Sequence, residues 1–171
     1  MNNPLLMPTS THGVPDFNAI KPEHFPEAFN TAFSTHENEI AAIANCQQPA
    51  DFGNTIEALE RAGSLLARVS SIFFNLISAN TNDELQAQDL EIAPRNALHD
   101  SRIYANPALF ARVKIIKDSK PKLDEEQIQL LEQTYRHFIR AGAALDDVGR
   151  QRMELISEQL ALLTTQFSQN V

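Results

Sequence analysis

The residues best suited to chemistry in this chain are His12, His24, His36, His99, His137 and the single cysteine, Cys46. A zinc-binding helix of the H-E-x-x-H type needs histidines at i and i+4, so that both imidazoles reach one metal, with a glutamate beside the first as base. His36-Glu37 begins that pattern, but position 40 is Ile40, and no other histidine pair has the spacing. A nucleophilic cysteine needs a neighbouring base or positive field to lower its pKa. Nothing in the sequence places one beside Cys46, which reads as a small structural thiol. No G-x-S-x-G elbow and neither glycine-rich phosphate loop is present. Carboxylate pairs such as Glu57 with Glu60, or Asp146 with Asp147, suit solvated faces and helix caps better than acid–base work. From spacing alone the chain is a helical domain without a recognisable active site, and no catalytic, cofactor-binding or metal-ligating residue is assigned; a metal site assembled from distant helices stays open.

The elements that would position such groups are helical. Residues 1–20 read as an extended N-terminal segment, held open by Pro4, Pro8 and Pro15 and packed on a body through Phe17 and Ile20. The helical body then covers 21–171. Pro22 fits a first helical turn, and Phe25, Phe29, Ala32, Phe33, His36, Ile40 and Ile43 follow at 3–4 spacing, fading near Cys46. A second helix, capped by Asn54 or Thr55, carries Ile56 to Ile77 through about 25 residues, or roughly 37 Å. Its Ile72–Ile77 segment is apolar on nearly every side, so Ile72, Phe73 and Phe74 could drive self-association if left uncovered.

Thr81-Asn-Asp-Glu84 is a capping-box pattern opening a third helix, with a kink or break expected at Pro94. Asn106-Pro107 starts a fourth helix, whose end carries Lys114, Lys117, Lys120 and Lys122, well placed against the helix dipole. Asp124 with Gln127 opens a fifth, and Leu123 can staple onto Ile128. Asp146 or Asp147 caps a sixth, striped by Met153, Ile156, Leu160, Leu163 and Phe167. That stripe runs to Val171 without a stop signal, which raises the expectation of a longer polypeptide. The fold class is all-α: a bundle of about six helices, mostly antiparallel.

Composition excludes several classes. The chain has 171 residues, 43% hydrophobic and 21% charged, and carries a net charge of −8. Its size permits a core without disulfide or metal staples. Residues 1–100 hold 13 acids against 4 bases, and 101–171 hold 9 against 10. An acidic surface disfavours nucleic acid. No apolar run of about 18 residues is evident and no basic-then-apolar leader opens the chain, so no membrane partner is expected. One cysteine permits no internal disulfide, which suits a reducing compartment, and the default location is the cytoplasm.

Several stretches, in order, carry a resemblance. They are Phe52-Gly-Asn-Thr-Ile56 with Leu59-Glu60, Ile72-Phe73-Phe74, Asn80-Thr-Asn-Asp-Glu-Leu-Gln86 and Asn106-Pro-Ala-Leu-Phe-Ala-Arg-Val113, followed by Phe138-Ile-Arg-Ala-Gly-Ala-Ala-Leu145 and the closing Leu163–Val171. Together with Asn3-Pro-Leu-Leu6 and Phe17–His24, this order resembles the N-terminal region of the thimet oligopeptidase family of zinc metallopeptidases. The Asn80–Gln86 stretch points to its peptidyl-dipeptidase branch.

The resemblance implies a nearly all-helical enzyme in which a deep channel separates two halves. Zinc would sit on an H-E-x-x-H helix of the C-terminal half, polarising the scissile carbonyl and activating water, with the motif glutamate as base. Dipeptides would leave the C-terminal end of short, unstructured peptides, and this region would form channel wall. The chain departs from the family pattern in having no H-E-x-x-H, so no catalytic or metal residue carries over, and the 171 residues alone are expected to be inactive. Two other readings stay open. One is a stand-alone acidic helical module that binds a partner protein. The other is a small helical enzyme or ligand-binding bundle, which would need a pocket of convergent polar groups.

Overall fold

A computed structural model describes residues 3–7 and 14–169. It is 76% helical with no strand among the described residues, so the all-α reading holds. The helices are α1 (Phe25–Ala44), α2 (Ala58–Arg61), α3 (Ser64–Ala79), α4 (Asp83–Tyr104), α5 (Pro107–Ser119), α6 (Glu125–Arg140) and α7 (Asp147–Gln169). Six of them exceed ten residues. The chain forms two compact units, one from Met1–Glu39 with Gly63–Glu91 and the other from Ile40–Ala62 with Ile92–Val171.

The first unit closes around aromatic rings. Phe25 and Phe29, one turn apart on α1, both meet Phe73 of α3, with ring centroids 5.0 and 5.4 Å away and planes at 66° and 88°. Edge-to-face geometry of this kind adds to what burial alone contributes. Leu5 is buried with them, and Arg68 of α3 donates to its carbonyl at 2.8 Å. Asn3 donates to the His24 carbonyl at 2.8 Å, whereas Phe17 is exposed.

Several starts match the expected chemistry because a cap is a local bond between a side chain and the backbone. The Asn106 carbonyl oxygen accepts from the amides of Ala108 and Leu109. Asp124 and Gln127 exchange both bonds of a capping box. Asp146 rather than Asp147 caps α7, accepting from Gly149. In α4 the cap is Asn82, which accepts from Leu85, so the Thr81 box shifts by one residue. The helix runs on through Pro94 without ending there.

The expected second helix is corrected in three respects. Its first turn, Phe52–Glu57, is a wide π-type turn capped by Asp51, and Thr55 is a buried residue, not a cap. The rod breaks at Gly63, whose φ of 75° is left-handed. The Gly63 amide donates to Glu39 at 2.7 Å, and a Cβ there would stand 2.8 Å from the His36 ring. Gly63→Ala is therefore expected to cost about 1–3 kcal/mol in urea unfolding, from backbone strain plus displacement of the imidazole; a change near zero would contradict the close approach. The third correction concerns hydropathy. Phe52–Ala79 is long and apolar enough to cross a membrane by length and composition, contrary to the run-length reading. The span is broken at Gly63, and Ile56, Leu66, Val69, Ile72 and Phe73 along it are buried.

Burial also revises two apolar surfaces. Ile72 and Phe73 are in the core and unavailable to a second copy, which leaves only Phe74 of the expected self-association patch, at 36% exposure. In α7 the expected core stripe is turned outward: Ile156, Leu160, Leu163 and Phe167 are exposed, and only Met153 is half-buried. The edge of α7 that is covered carries Arg150, Glu154, Ser157, Glu158, Ala161 and Thr165.

Candidate functional site

The second unit holds the two features that could carry function, and both grow from its apolar core. Ile103 of α4, Leu109, Val113 and Ile116 of α5, and Leu131 and Phe138 of α6 are buried together with Ile40, Ile43 and Ile56. Arg112 lies on the same face of α5, three residues after Leu109 and four before Ile116, and is only 8% exposed. Its guanidinium donates from Nε to the Thr55 hydroxyl at 3.2 Å and from Nη2 to Asn54 Oδ1 at 2.7 Å. Nη1 donates to the carbonyls of Cys46 and Gln48 at 2.9 and 3.2 Å. Each of these four acceptors is neutral, so the group fixes the Cys46–Asn54 loop through hydrogen bonds to uncharged groups. Asn54 is held in turn, since its amide donates to the Pro49 carbonyl at 2.9 Å and its backbone N–H to Asp51 at 2.7 Å. Sequence reading missed Arg112, although a cation amid Leu109, Phe110, Val113 and Ile116 was the available signal.

The other feature is a cleft of about 550 Å³ between α4, α6 and α7. Ala97, Ala141, Met153 and Ala161 line it with apolar surface, and Asp100, Tyr104, His137 and Arg140 supply polar groups. The Tyr104 ring meets His137 edge-on at 5.6 Å and Phe138 at 5.3 Å. Burial, then the negative charges of Asp100 and Glu60, push the Tyr104 hydroxyl above its ordinary pKa of 10.0. That hydroxyl is thus neutral at ordinary pH and available as a hydrogen-bond donor or acceptor. The cleft can accept an apolar side chain.

The residues singled out in the sequence are dispersed. His24 Nδ1 accepts from the Lys21 amide at 3.0 Å, His36 stands against Gly63, His99 is buried in α4, and His137 joins the cleft. His12 lies outside the described residues. Among the described residues no group of three His, Cys, Asp or Glu could hold a metal ion, so the donors present do not fit a zinc site. Cys46 is half-buried. Glu57 pairs with Arg61 at 3.1 Å and Asp147 with Arg150, each with a neighbour three or four residues along the chain. Of the lysine cluster, Lys114 pairs with Asp118, and Lys117 pairs with Glu132 while lying 5.0 Å over the Tyr135 ring.

No family model matches the chain. Individual relatives do. The chain is 39% identical over its whole length to dipeptidyl carboxypeptidase of Escherichia coli (strain K12). It is 37% identical over 99% of its length to dipeptidyl carboxypeptidase of Salmonella typhimurium. Oligopeptidase A of Salmonella typhimurium matches the whole chain at 25%. In each case the chain spans 25% of the relative's length. The similarity is therefore to one region of the dipeptidyl carboxypeptidase family, with higher identity there than to this oligopeptidase A.

Proposed function

We propose that this chain is the N-terminal helical region of a zinc metallopeptidase that releases dipeptides from the C-terminal end of short, unstructured peptides. The observation that carries the reading is 39% identity across the entire chain to a dipeptidyl carboxypeptidase of which it spans a quarter. The region's own task is steric and positional. Its helices form wall of the substrate channel and restrict entry to chains thin enough to pass.

The dispersion of His24, His36, His99 and His137 supports placing the zinc ligands outside these residues, and no chemical step is assigned to them. The partners of the region are the catalytic C-terminal part of the same polypeptide and, through it, peptide substrates. The location is the cytoplasm, in keeping with a lone, half-buried Cys46.

The test compares the longer polypeptide with residues 1–171 on an N-terminally blocked peptide of a few residues. The longer polypeptide is expected to hydrolyse it, to lose that activity to a chelator and to regain it with zinc. The 171 residues alone are expected to do no more than a mock preparation. Hydrolysis by residues 1–171, or hydrolysis indifferent to chelation, would overturn the reading.

A further inference from the structure

The amphipathicity of α7 is inverted relative to the unit it belongs to. Apart from the half-buried Met153, its covered edge is polar or small: Glu154, Ser157, Glu158, Ala161 and Thr165 recur at spacings of three and four or lie beside one another on one side. Its open side carries Ile156, Leu160, Leu163 and Phe167, with Leu160 63% and Phe167 71% exposed. Val148, Leu155 and Leu162 widen the same open surface. An isolated soluble body rarely leaves such a contiguous apolar row in water.

The spacing 153, 156, 160, 163, 167 is the alternating three-and-four step by which one helix seats another. Leu160 also lines the cleft beside α4 and α6, so the row and the cleft are one continuous apolar surface. The one charged side chain on the open side is Arg152, and Arg140 stands on the cleft rim.

We propose that the open side of α7 is the seat of a helix belonging to the polypeptide that the relatives carry beyond the quarter matched here. The inference rests on the proposed function and adds to it the surface through which this region meets the rest. Three quarters of the length of the matched relatives has no counterpart in this chain, which supplies an occupant of sufficient size. The occupant is a helix with its own apolar row at three-and-four spacing, and it carries a carboxylate placed to meet Arg152. Because α7 meets its own unit through its polar edge and Met153, the exposed Ile156, Leu163 and Phe167 stay free for that occupant without competing with the core.

The test uses thiol labelling read by peptide mass spectrometry. Leu163→Cys and, separately, Phe167→Cys are made both in the longer polypeptide and in residues 1–171. Both positions are exposed in this chain, so neither change removes a core contact. Labelling at 163 and 167 is expected to be at least about tenfold slower in the longer polypeptide than in residues 1–171, independently of protein concentration. Equal rates in the two would overturn the proposal. So would protection that grows with concentration, which would assign the face to a second copy. Dipeptide release, measured on the same preparations, separates this inference from its premise. Protection without release overturns the peptidase reading alone, and release without protection overturns the docking surface alone.

Discussion

Phe73→Ala is expected to lower the unfolding free energy by about 3–5 kcal/mol, the largest loss of any single truncation in the first unit. The ring is fully buried, at 0% exposure, and meets Phe25, Phe29 and Phe74 at centroid distances of 5.0, 5.4 and 5.3 Å. Truncation removes the transfer energy of the ring and leaves a cavity whose walls are themselves large rings on α1 and α3. Those walls cannot close without moving a helix, so little of the loss is recovered. Phe74→Ala, one residue on and far more exposed, is expected to cost less than about 1 kcal/mol. The comparison is made by urea unfolding followed by far-ultraviolet circular dichroism, with an unchanged slope against urea as the sign of a pure stability effect. Equal losses at the two positions would contradict the assignment of Phe73 to the core and Phe74 to the surface.

Arg112→Ala carries the second large effect, about 2–4 kcal/mol. Four acceptors each lose a donor at once, Thr55 Oγ1, Asn54 Oδ1 and the carbonyls of Cys46 and Gln48, although Asn54 Oδ1 keeps the Asp51 amide and the Thr55 hydroxyl. Thr55 is itself fully buried, so solvent cannot replace the guanidinium there. Arg112→Lys restores the charge but not the planar fork that reaches three directions, and it is expected to recover less than half of the loss. Urea unfolding of the two variants measures this. Full recovery with lysine would mean that charge, and not geometry, holds the Cys46–Asn54 loop. A loss no greater than that from an exposed arginine such as Arg136 would contradict the buried hub altogether.

What was legible in the sequence follows the range of the interaction. Asn106 and Asp124 were readable because each cap is settled within three residues of chain. The dipeptidase-type resemblance was readable because it rests on ordered stretches spread over the whole chain, and the 39% and 37% identities agree with it. Features fixed across the fold were not readable. Gly63 ends one rod and starts another because Glu39 and His36 come against it from α1, residues 24 and 27 positions earlier. Arg112 is held by a loop some 60 residues away through neutral acceptors, so no opposite charge in the sequence marks the groups it meets.

The α7 stripe shows the limit most clearly. Periodicity identified Ile156, Leu160, Leu163 and Phe167 as one face, and it is one face. Which side of the helix meets its own unit depends on what else is available to pack there. The chosen edge is the one bearing Glu154, which lies 3.9 Å from Arg102. The cleft between α4, α6 and α7 was equally out of reach, since Tyr104, His137 and Met153 share no sequence spacing and meet only through the packing of three helices.

The central claim is that these helices are the N-terminal region of an enzyme that cuts two residues at a time from a peptide's C-terminal end. The measurement that bears on it most directly is the mass of the fragment that the longer polypeptide releases first from a blocked peptide of known sequence. The account predicts the intact C-terminal dipeptide, with the shortened blocked peptide as its complement. Release of a single amino acid, cleavage at an interior bond without a free dipeptide, or an uncut peptide would contradict it.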